Sequence, residues 1–195
     1  MTIGVFGGTF DPIHWGHLVL AEEARTAAGL DRILFVPSAR PPHKQGQNIT
    51  SWAHRLAMVT LAVEGIPGFE VSDIESDEGR PHYSLDTLER LAGRHADDRL
   101  SFVIGSDSLL DMPGWRNPAA IVARWPLVVL ARPGFDPGKA DPAFTAGMTL
   151  VDGVQVAVSS TLVRRRLAAG SPVRFLVPDA VLDYARRHHL YGLVP

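Results

Sequence analysis

The sequence predicts an α/β fold, a Rossmann-like, doubly wound and mostly parallel sheet with a small C-terminal helical part. Short apolar runs alternate with helical patterns almost throughout, which is typical of strands joined by crossover helices. The apolar runs are nearly continuous, as expected for strands that are covered on both faces. A chain of 195 residues is long enough for one domain with a sizeable core. We therefore expect residues 1–195 to form a single domain, with residues from about 159 to 195 as its helical part.

The first half of the chain alternates strand and helix from its first residues. Gly29 follows the first helical pattern and predicts the end of that helix. Either Thr50 or Ser51 is suited to cap the second helix. The predicted elements, in order, are a strand over 3–6, a helix over 18–28, a strand over 32–36, a loop over 37–48, a helix to about 63, a strand over 69–72 and a loop over 76–81.

The second half continues the alternation and contains another glycine-marked turn before a helix, Gly105-Ser106-Asp107-Ser108. Residues 132–147 hold three prolines and three glycines, which predicts a long surface loop. The predicted elements are a helix over 84–94, a strand over 100–104, a short helix over 119–124, strands over 127–131, 148–151 and 154–158, and helices over 159–169 and 179–188. Because the marked turns all follow strands, they converge on one site if their strands are neighbours.

Composition excludes several classes of function. The net charge of −2 provides no global basic field, so we expect no nucleic-acid partner. The absence of cysteine excludes disulfides and thiolate chemistry. No signal-peptide pattern opens the chain, and no apolar run approaches the roughly 18 residues that span a membrane. We expect a cytoplasmic protein without a membrane partner; whether it is a monomer or a homo-oligomer stays open.

The most informative stretch is the first turn, which runs from Gly7-Gly8 to His14 and His17. Adjacent glycines would let the backbone take unusual dihedral angles and approach a ligand closely. The following helix would direct its N-terminal amides and its positive dipole end at the turn, and two imidazoles would join them. Together these features predict a phosphate site, although the spacing fits neither a Walker A loop nor the dinucleotide fingerprint. Two alternatives stay open. The histidines could cap the helix start and pack there without binding a ligand, or they could bind zinc, for which the chain offers no clear third and fourth ligands.

A second candidate anion site lies near the end of the chain. Ser159, Ser160 and Thr161 mark a helix start, where hydroxyl and amide groups can donate to an anion. Arg164 lies one turn further on and could reach a polyphosphate. Taken alone, the same residues also fit a plain helix cap followed by a solvated arginine face.

Both candidate sites together resemble the nucleotidyltransferase superfamily that carries the (T/H)xGH signature. Here His14-Trp15-Gly16-His17 follows Gly-Gly-Thr-Phe-Asp-Pro, and the Ser-Ser-Thr-x-x-Arg motif follows near the end. The first motif alone marks the superfamily, but the combination is similar to the bacterial nicotinate mononucleotide adenylyltransferases over nearly the whole chain. The intermediate markers that agree are Pro41-Pro42-His43-Lys44, residues 83–88, Gly105-Ser106-Asp107-Ser108-Leu109, Trp115 and Arg132-Pro133-Gly134.

The resemblance implies an enzyme that transfers AMP from ATP to nicotinate mononucleotide, with Mg²⁺ accompanying ATP and held mainly by phosphate oxygens. It implies catalytic roles for His14, His17 and Arg164, of which Arg164 would hold the β- and γ-phosphates. The implied ATP-binding residues are Gly7, Gly8, Thr9, Phe10, His14, His17, Asp107, Ser159, Ser160, Thr161 and Arg164. The implied substrate-binding residues are Lys44, in a loop that approaches the phosphates, and Thr87 and Trp115, which would line the pyridine ring. No residue is assigned as a metal ligand.

The residue types suit this chemistry. The nucleophile is a phosphate monoester, which is already an anion, so no general base is needed. Catalysis then requires two anions held in line and neutralisation of transition-state charge, which imidazoles, guanidinium groups and helix N-termini supply. Two alternatives stay open: a related transferase acting on nicotinamide mononucleotide or phosphopantetheine, and a nucleotide-binding module without turnover whose arginine-rich segments contact RNA.

Overall fold

A computed structural model describes residues 1–41, 46, 48–76, 79, 81–154 and 156–193. It contains a six-stranded sheet in which every pairing between the described strands is parallel. The strands are β1 (Thr2–Gly8), β2 (Arg32–Pro37), β3 (Phe69–Val71), β4 (Arg99–Gly105), β5 (Leu127–Leu130) and β6 (Thr149–Val151). Their order across the sheet is β3-β2-β1-β4-β5-β6. The predicted α/β fold with a doubly wound parallel sheet is therefore confirmed.

Eight α-helices are found among the described residues. They are α1 (Trp15–Ala27), α2 (Trp52–Val63), α3 (Ser84–Arg94), α4 (Ser106–Asp111), α5 (Pro118–Arg124), α6 (Pro142–Thr145), α7 (Ser160–Ala168) and α8 (Asp179–Arg187). Short 3₁₀ turns cover Met112–Gly114, Pro137–Lys139 and Leu190–Gly192. Among the described residues, none of the helices combines the length and apolar character needed to cross a bilayer.

The sheet separates two hydrophobic clusters because successive strand side chains point to opposite faces. In β1, Phe6 joins the cluster formed with α1, α2, α7 and α8, whereas Ile3 and Val5 join the cluster formed with α3, α4 and α5. Burial on both faces explains why the strands are continuously apolar in sequence.

The strand order reverses between β1 and β4, which lie side by side at the centre of the sheet. Chain connections leave these two strands in opposite directions, so a crevice opens at their carboxyl ends. Gly8 ends β1 and Gly105 ends β4, so both glycine-marked turns reach that crevice.

Two sequence predictions about the last third of the chain are wrong. Residues 154 and 156–158 form no strand, because β5 ends at Leu130, opposite Val151, and offers no partner beyond it. The predicted loop over 132–147 contains a 3₁₀ turn and α6, each begun by a proline. Asp136 and Asp141 cap these turns by accepting backbone N–H groups at 2.9 Å, and each directly precedes the proline that begins its turn.

Candidate active site

A cavity of about 790 Å³ opens at the carboxyl ends of β1 and β4. It brings together residues from the first turn, the turn after β4, the start of α3 and the start of α7. The sequence-predicted residues that line it are Gly7, Gly8, Thr9, Phe10, His14, His17, Thr87, Asp107, Trp115, Ser159, Ser160, Thr161 and Arg164. Lys44 lies outside the described residues.

The glycines of the first turn act differently from the expectation. Gly7 and Gly8 continue β1, and the left-handed backbone lies instead at Phe10, with φ of 48°. The expectation of unusual dihedral angles at the glycines is therefore wrong. A Cβ on Gly8 would lie 2.7 Å from the Phe10 ring, whereas a Cβ on Gly7 would meet nothing within 4 Å. Gly8 thus makes room for the Phe10 ring, and Gly7 leaves open space where a ligand can approach.

His14 and His17 form a stacked pair at the start of α1. Their ring centroids are 3.7 Å apart and their planes differ by 23°. The backbone N–H of His14 donates to Nδ1 of His17 at 3.2 Å, so neutral His17 carries its ring hydrogen on Nε2. A Cβ on Gly16 would lie 3.1 Å from Nδ1 of His14, so the glycine of the motif leaves space for that imidazole. The His17 ring therefore caps the start of the helix, and both rings line the cavity as well.

The electrostatic setting keeps His14 neutral in this state. Its side chain is buried, and burial followed by the positive charge of Arg132 lowers its pKa from 6.5 to about 4. Both causes disfavour the imidazolium form because each opposes placing a positive charge there. An anion in the cavity would oppose the effect of Arg132 and favour the protonated form.

The start of α7 is fastened to the first turn across almost the whole chain. The hydroxyl of Ser160 donates to the carbonyl of Pro12 at 2.9 Å, and Nη1 of Arg164 donates to the carbonyl of Asp11 at 2.7 Å. The Ser159 hydroxyl accepts the backbone N–H of Leu162 at 3.2 Å and so caps the helix. These contacts hold the first turn and the start of α7, which are the two predicted anion sites, side by side in one continuous surface.

Asp11 supports this junction and was not assigned a role from the sequence. Its carboxylate is buried, and Tyr191 donates its hydroxyl hydrogen to Oδ1 at 2.8 Å. Burial, followed by the negative charge of Asp11, raises the pKa of Tyr191 above its usual range. The 3₁₀ turn at Leu190–Gly192 thereby anchors the first turn, a contact that no local pattern near Tyr191 indicates.

The turn after β4 carries a charged pair. Nη1 of Arg132 lies 2.5 Å from Oδ2 of Asp107, while Oδ1 is buried and has no hydrogen-bond partner among the described residues. A Cβ on Gly105 would collide with that Oδ1 atom, which explains why glycine precedes the turn. Oδ1 can accept a hydrogen from a ligand hydroxyl. Arg132 was part of a sequence marker, but its pairing depends on β4 and β5 being neighbours.

The other side of the cavity holds Thr87 and Trp115. Thr87 is buried and donates its hydroxyl hydrogen to Oε1 of Glu75 at 2.6 Å. Trp115 is half-buried and packs against Phe102, with ring centroids 6.1 Å apart. Glu75 was missed by the sequence analysis, because it belongs to a polar segment with no recognisable pattern. Among the described residues, no group of three or more His, Cys, Asp or Glu side chains is placed to hold a metal ion.

The fold and the cavity together describe an α/β protein in which a histidine pair and an arginine-bearing helix start meet at the reversal of strand order. The chain belongs to the cytidylyltransferase-like family, whose sequence pattern matches residues 5–166.

Its relatives agree over almost the whole length. It is 43% identical to a probable nicotinate-nucleotide adenylyltransferase of Roseiflexus sp., over 97% of each chain. It is 40% identical to a protein of the same name from Salinibacter ruber, over 98% of each chain. A structure of the Plasmodium falciparum nicotinic acid mononucleotide adenylyltransferase complexed with NaAD is similar in fold, with a TM-score of 0.78 and 20% identity over 99% of this chain and 98% of that chain.

Proposed function

We propose that this chain is a nicotinate-nucleotide adenylyltransferase, which transfers AMP from ATP to nicotinate mononucleotide in NAD biosynthesis. The observation that carries the proposal is the full-length similarity to relatives of that name, at about 40% identity. The cavity adds support, because the starts of α1 and α7, with their imidazole, hydroxyl and guanidinium groups, and an aromatic side chain line the same space.

In the proposed reaction, a phosphate oxygen of nicotinate mononucleotide attacks the α-phosphorus of ATP. The bond between that phosphorus and the oxygen bridging to the β-phosphate breaks, and pyrophosphate leaves with the electron pair. His14 and His17 would donate hydrogen bonds to phosphate oxygens and stabilise charge on the transition state. Arg164, with Ser159, Ser160 and Thr161, would hold the β- and γ-phosphates, and no general base is required.

We further propose that Mg²⁺ accompanies ATP and is bound chiefly by phosphate oxygens. The donors that line the phosphate end of the cavity are imidazole, guanidinium and hydroxyl groups, which suit phosphate oxygens better than a magnesium ion. When bound, the ion would neutralise phosphate charge, and the residues of this chain would position the nucleotide.

The remaining proposals concern the second substrate and the setting. Asp107 would bind the adenosine part of ATP, Trp115 and Thr87 would line the pyridine ring, and Lys44 would approach the phosphates. We also propose one nucleotidyltransferase domain over residues 1–195, acting in the cytoplasm without a nucleic-acid partner.

The deciding experiment measures pyrophosphate release after the protein is mixed with ATP, Mg²⁺ and nicotinate mononucleotide, with the dinucleotide identified by mass. Parallel reactions with nicotinamide mononucleotide, with phosphopantetheine and with ATP alone serve as controls. We expect the highest kcat/KM with the acid mononucleotide. Faster turnover of either alternative substrate would reassign the enzyme within its superfamily, and absence of release combined with salt-sensitive RNA binding would favour a binding module.

A further inference from the structure

A continuous series of hydrogen bonds, buried except for the partly buried bond at Thr9, links the first turn to Thr87 on the opposite side of the cavity. It runs from the carbonyl of Thr9 through Arg55, the peptide groups of Ala39 and the carboxylate of Glu75 to the Thr87 hydroxyl. The five residues come from five separate parts of the chain, so only the folded structure brings them into sequence.

Arg55 forms the first half of this series. It lies in α2 with only 1% of its surface exposed. Its Nη1 donates to the carbonyls of Thr9 and Ser38, both at 2.7 Å, and its Nη2 donates to the carbonyl of Ala39 at 3.1 Å. The guanidinium of Arg55 therefore holds the first turn and the segment after β2 at a fixed separation.

Glu75 forms the second half and is 5% exposed. Its Oε2 accepts the N–H of Ala39 at 3.0 Å, and its Oε1 accepts the Thr87 hydroxyl hydrogen at 2.6 Å. Ala39 thus donates to a buried carboxylate through its N–H and accepts from a buried guanidinium through its carbonyl. Buried charges are unfavourable unless hydrogen-bonded, and apolar replacements of similar volume are often equally stable, so core stability alone does not account for them.

Building on the proposed function, we propose that Arg55 and Glu75 are positioning residues. They fix the first turn, where ATP would bind, relative to Thr87, where the mononucleotide would bind. In-line transfer needs the attacking oxygen close to the α-phosphorus and aligned with the leaving group. A displacement of about 1 Å in such a geometry can lower the rate roughly a hundredfold. Neither residue needs to contact a reacting atom to have this effect.

The test uses Glu75→Gln in the full chain, with the exposed Glu64→Gln as the matched control. Glutamine is almost the same size, but its single oxygen can accept from only one of the two donors, Ala39 or Thr87. We expect kcat at saturation with both substrates to fall about tenfold or more. The Kd of ATP alone and of nicotinate mononucleotide alone should change by less than about twofold. A purely structural role would not lower kcat while leaving both Kd values unchanged.

Two further variants keep the test decisive if Glu75→Gln folds poorly. Thr87→Val removes the outermost hydrogen bond and should lower kcat, whereas Thr87→Ser retains the hydroxyl and should preserve most of it. An unchanged kcat in folded Glu75→Gln, an unchanged kcat in Thr87→Val, or a loss in Glu75→Gln explained by weaker binding of one substrate would overturn the inference. Failure of the unmodified protein to release pyrophosphate would instead overturn the proposed function.

Discussion

The two sides of the cavity are constructed by different means. The phosphate side, the side proposed to bind the phosphates of ATP, is formed by His14, His17 and α7 and is fixed by hydrogen bonds between elements that are far apart in the chain. The side proposed for the mononucleotide has one hydroxyl, that of Thr87, which is held by the Glu75 carboxylate, and otherwise consists of the half-buried indole of Trp115 packed against Phe102.

This difference follows from the ligands that the two sides are proposed to bind. Phosphate oxygens carry charge that grows during transfer, so their donors are most effective when they are already oriented. A pyridine ring presents a flat face, for which an aromatic surface is sufficient. Substitutions on the phosphate side should therefore change the rate or the affinity for ATP, and substitution of the aromatic surface at Trp115 should change the affinity for the second substrate.

The largest effect is expected for His17→Ala. Losing one oriented donor to transition-state charge typically lowers turnover by about 10²–10³-fold. Steady-state pyrophosphate release measures the change, and thermal unfolding verifies that the fold persists. His188→Ala is the matched control, because His188 is exposed and lies outside the cavity lining. Near-normal turnover of His17→Ala would exclude a catalytic role for that residue.

The burial of His14 predicts a pH dependence of stability. Its folded-state pKa of about 4 lies below the ordinary 6.5, so the unfolded chain takes up the proton first as the pH falls. The contribution of neutral His14 to the free energy of unfolding is therefore complete above about pH 6.5 and decreases as the pH falls toward 4. Between about pH 7.5 and about pH 4.5, wild type should lose about 2–3 kcal/mol more free energy of unfolding than His14→Gln.

Urea unfolding of both proteins at the two pH values measures this difference. Other groups also titrate in this interval, but they are common to both proteins, so their contribution largely cancels. Identical losses in wild type and variant would show that His14 is not held neutral by burial.

The residues of the proposed phosphate side could be predicted to lie together because they occur in short local patterns, and the structure brings them to one cavity. Gly7-Gly8, His14-x-x-His17 and Ser159-Ser160-Thr161 each follow a predicted strand or mark a helix start. The parallel sheet was likewise visible in continuous apolar runs. What joins the two patterns, such as the hydrogen bond from Arg164 to Asp11, depends on tertiary structure.

The missed features depend on contacts between distant residues. Arg55 has the sequence environment of an ordinary helical arginine, and its burial becomes favourable only because carbonyls from several loops converge on it. Gly8 resembles a ligand-approach glycine, yet its missing side chain accommodates Phe10. The valine-rich stretch over 154–158 resembles a strand in sequence, but its described residues, 154 and 156–158, find no strand neighbour beyond the end of β5.

Arg164→Ala tests the affinity for ATP on the phosphate side. A hydrogen bond between charged groups contributes about 1.5–3 kcal/mol, so the KM for ATP should rise roughly 10- to 100-fold. Arg165→Ala controls for the loss of one positive charge, because Arg165 is the exposed neighbour on the same helix. Equal effects of the two substitutions would indicate a general electrostatic influence and no direct contact from Arg164.

Trp115→Ala should produce the smallest effect. It should raise the KM for nicotinate mononucleotide, whereas Arg164→Ala should raise the KM for ATP. Aromatic stacking contributes about 0.5–1.5 kcal/mol, so the KM for nicotinate mononucleotide should rise roughly 2- to 10-fold while the KM for ATP stays near its original value. Trp115→Phe keeps an aromatic face next to Phe102 and should retain most of the affinity. An equal rise in both KM values would mean that Trp115 supports the cavity as a whole, and the functional distinction between its two sides would fail.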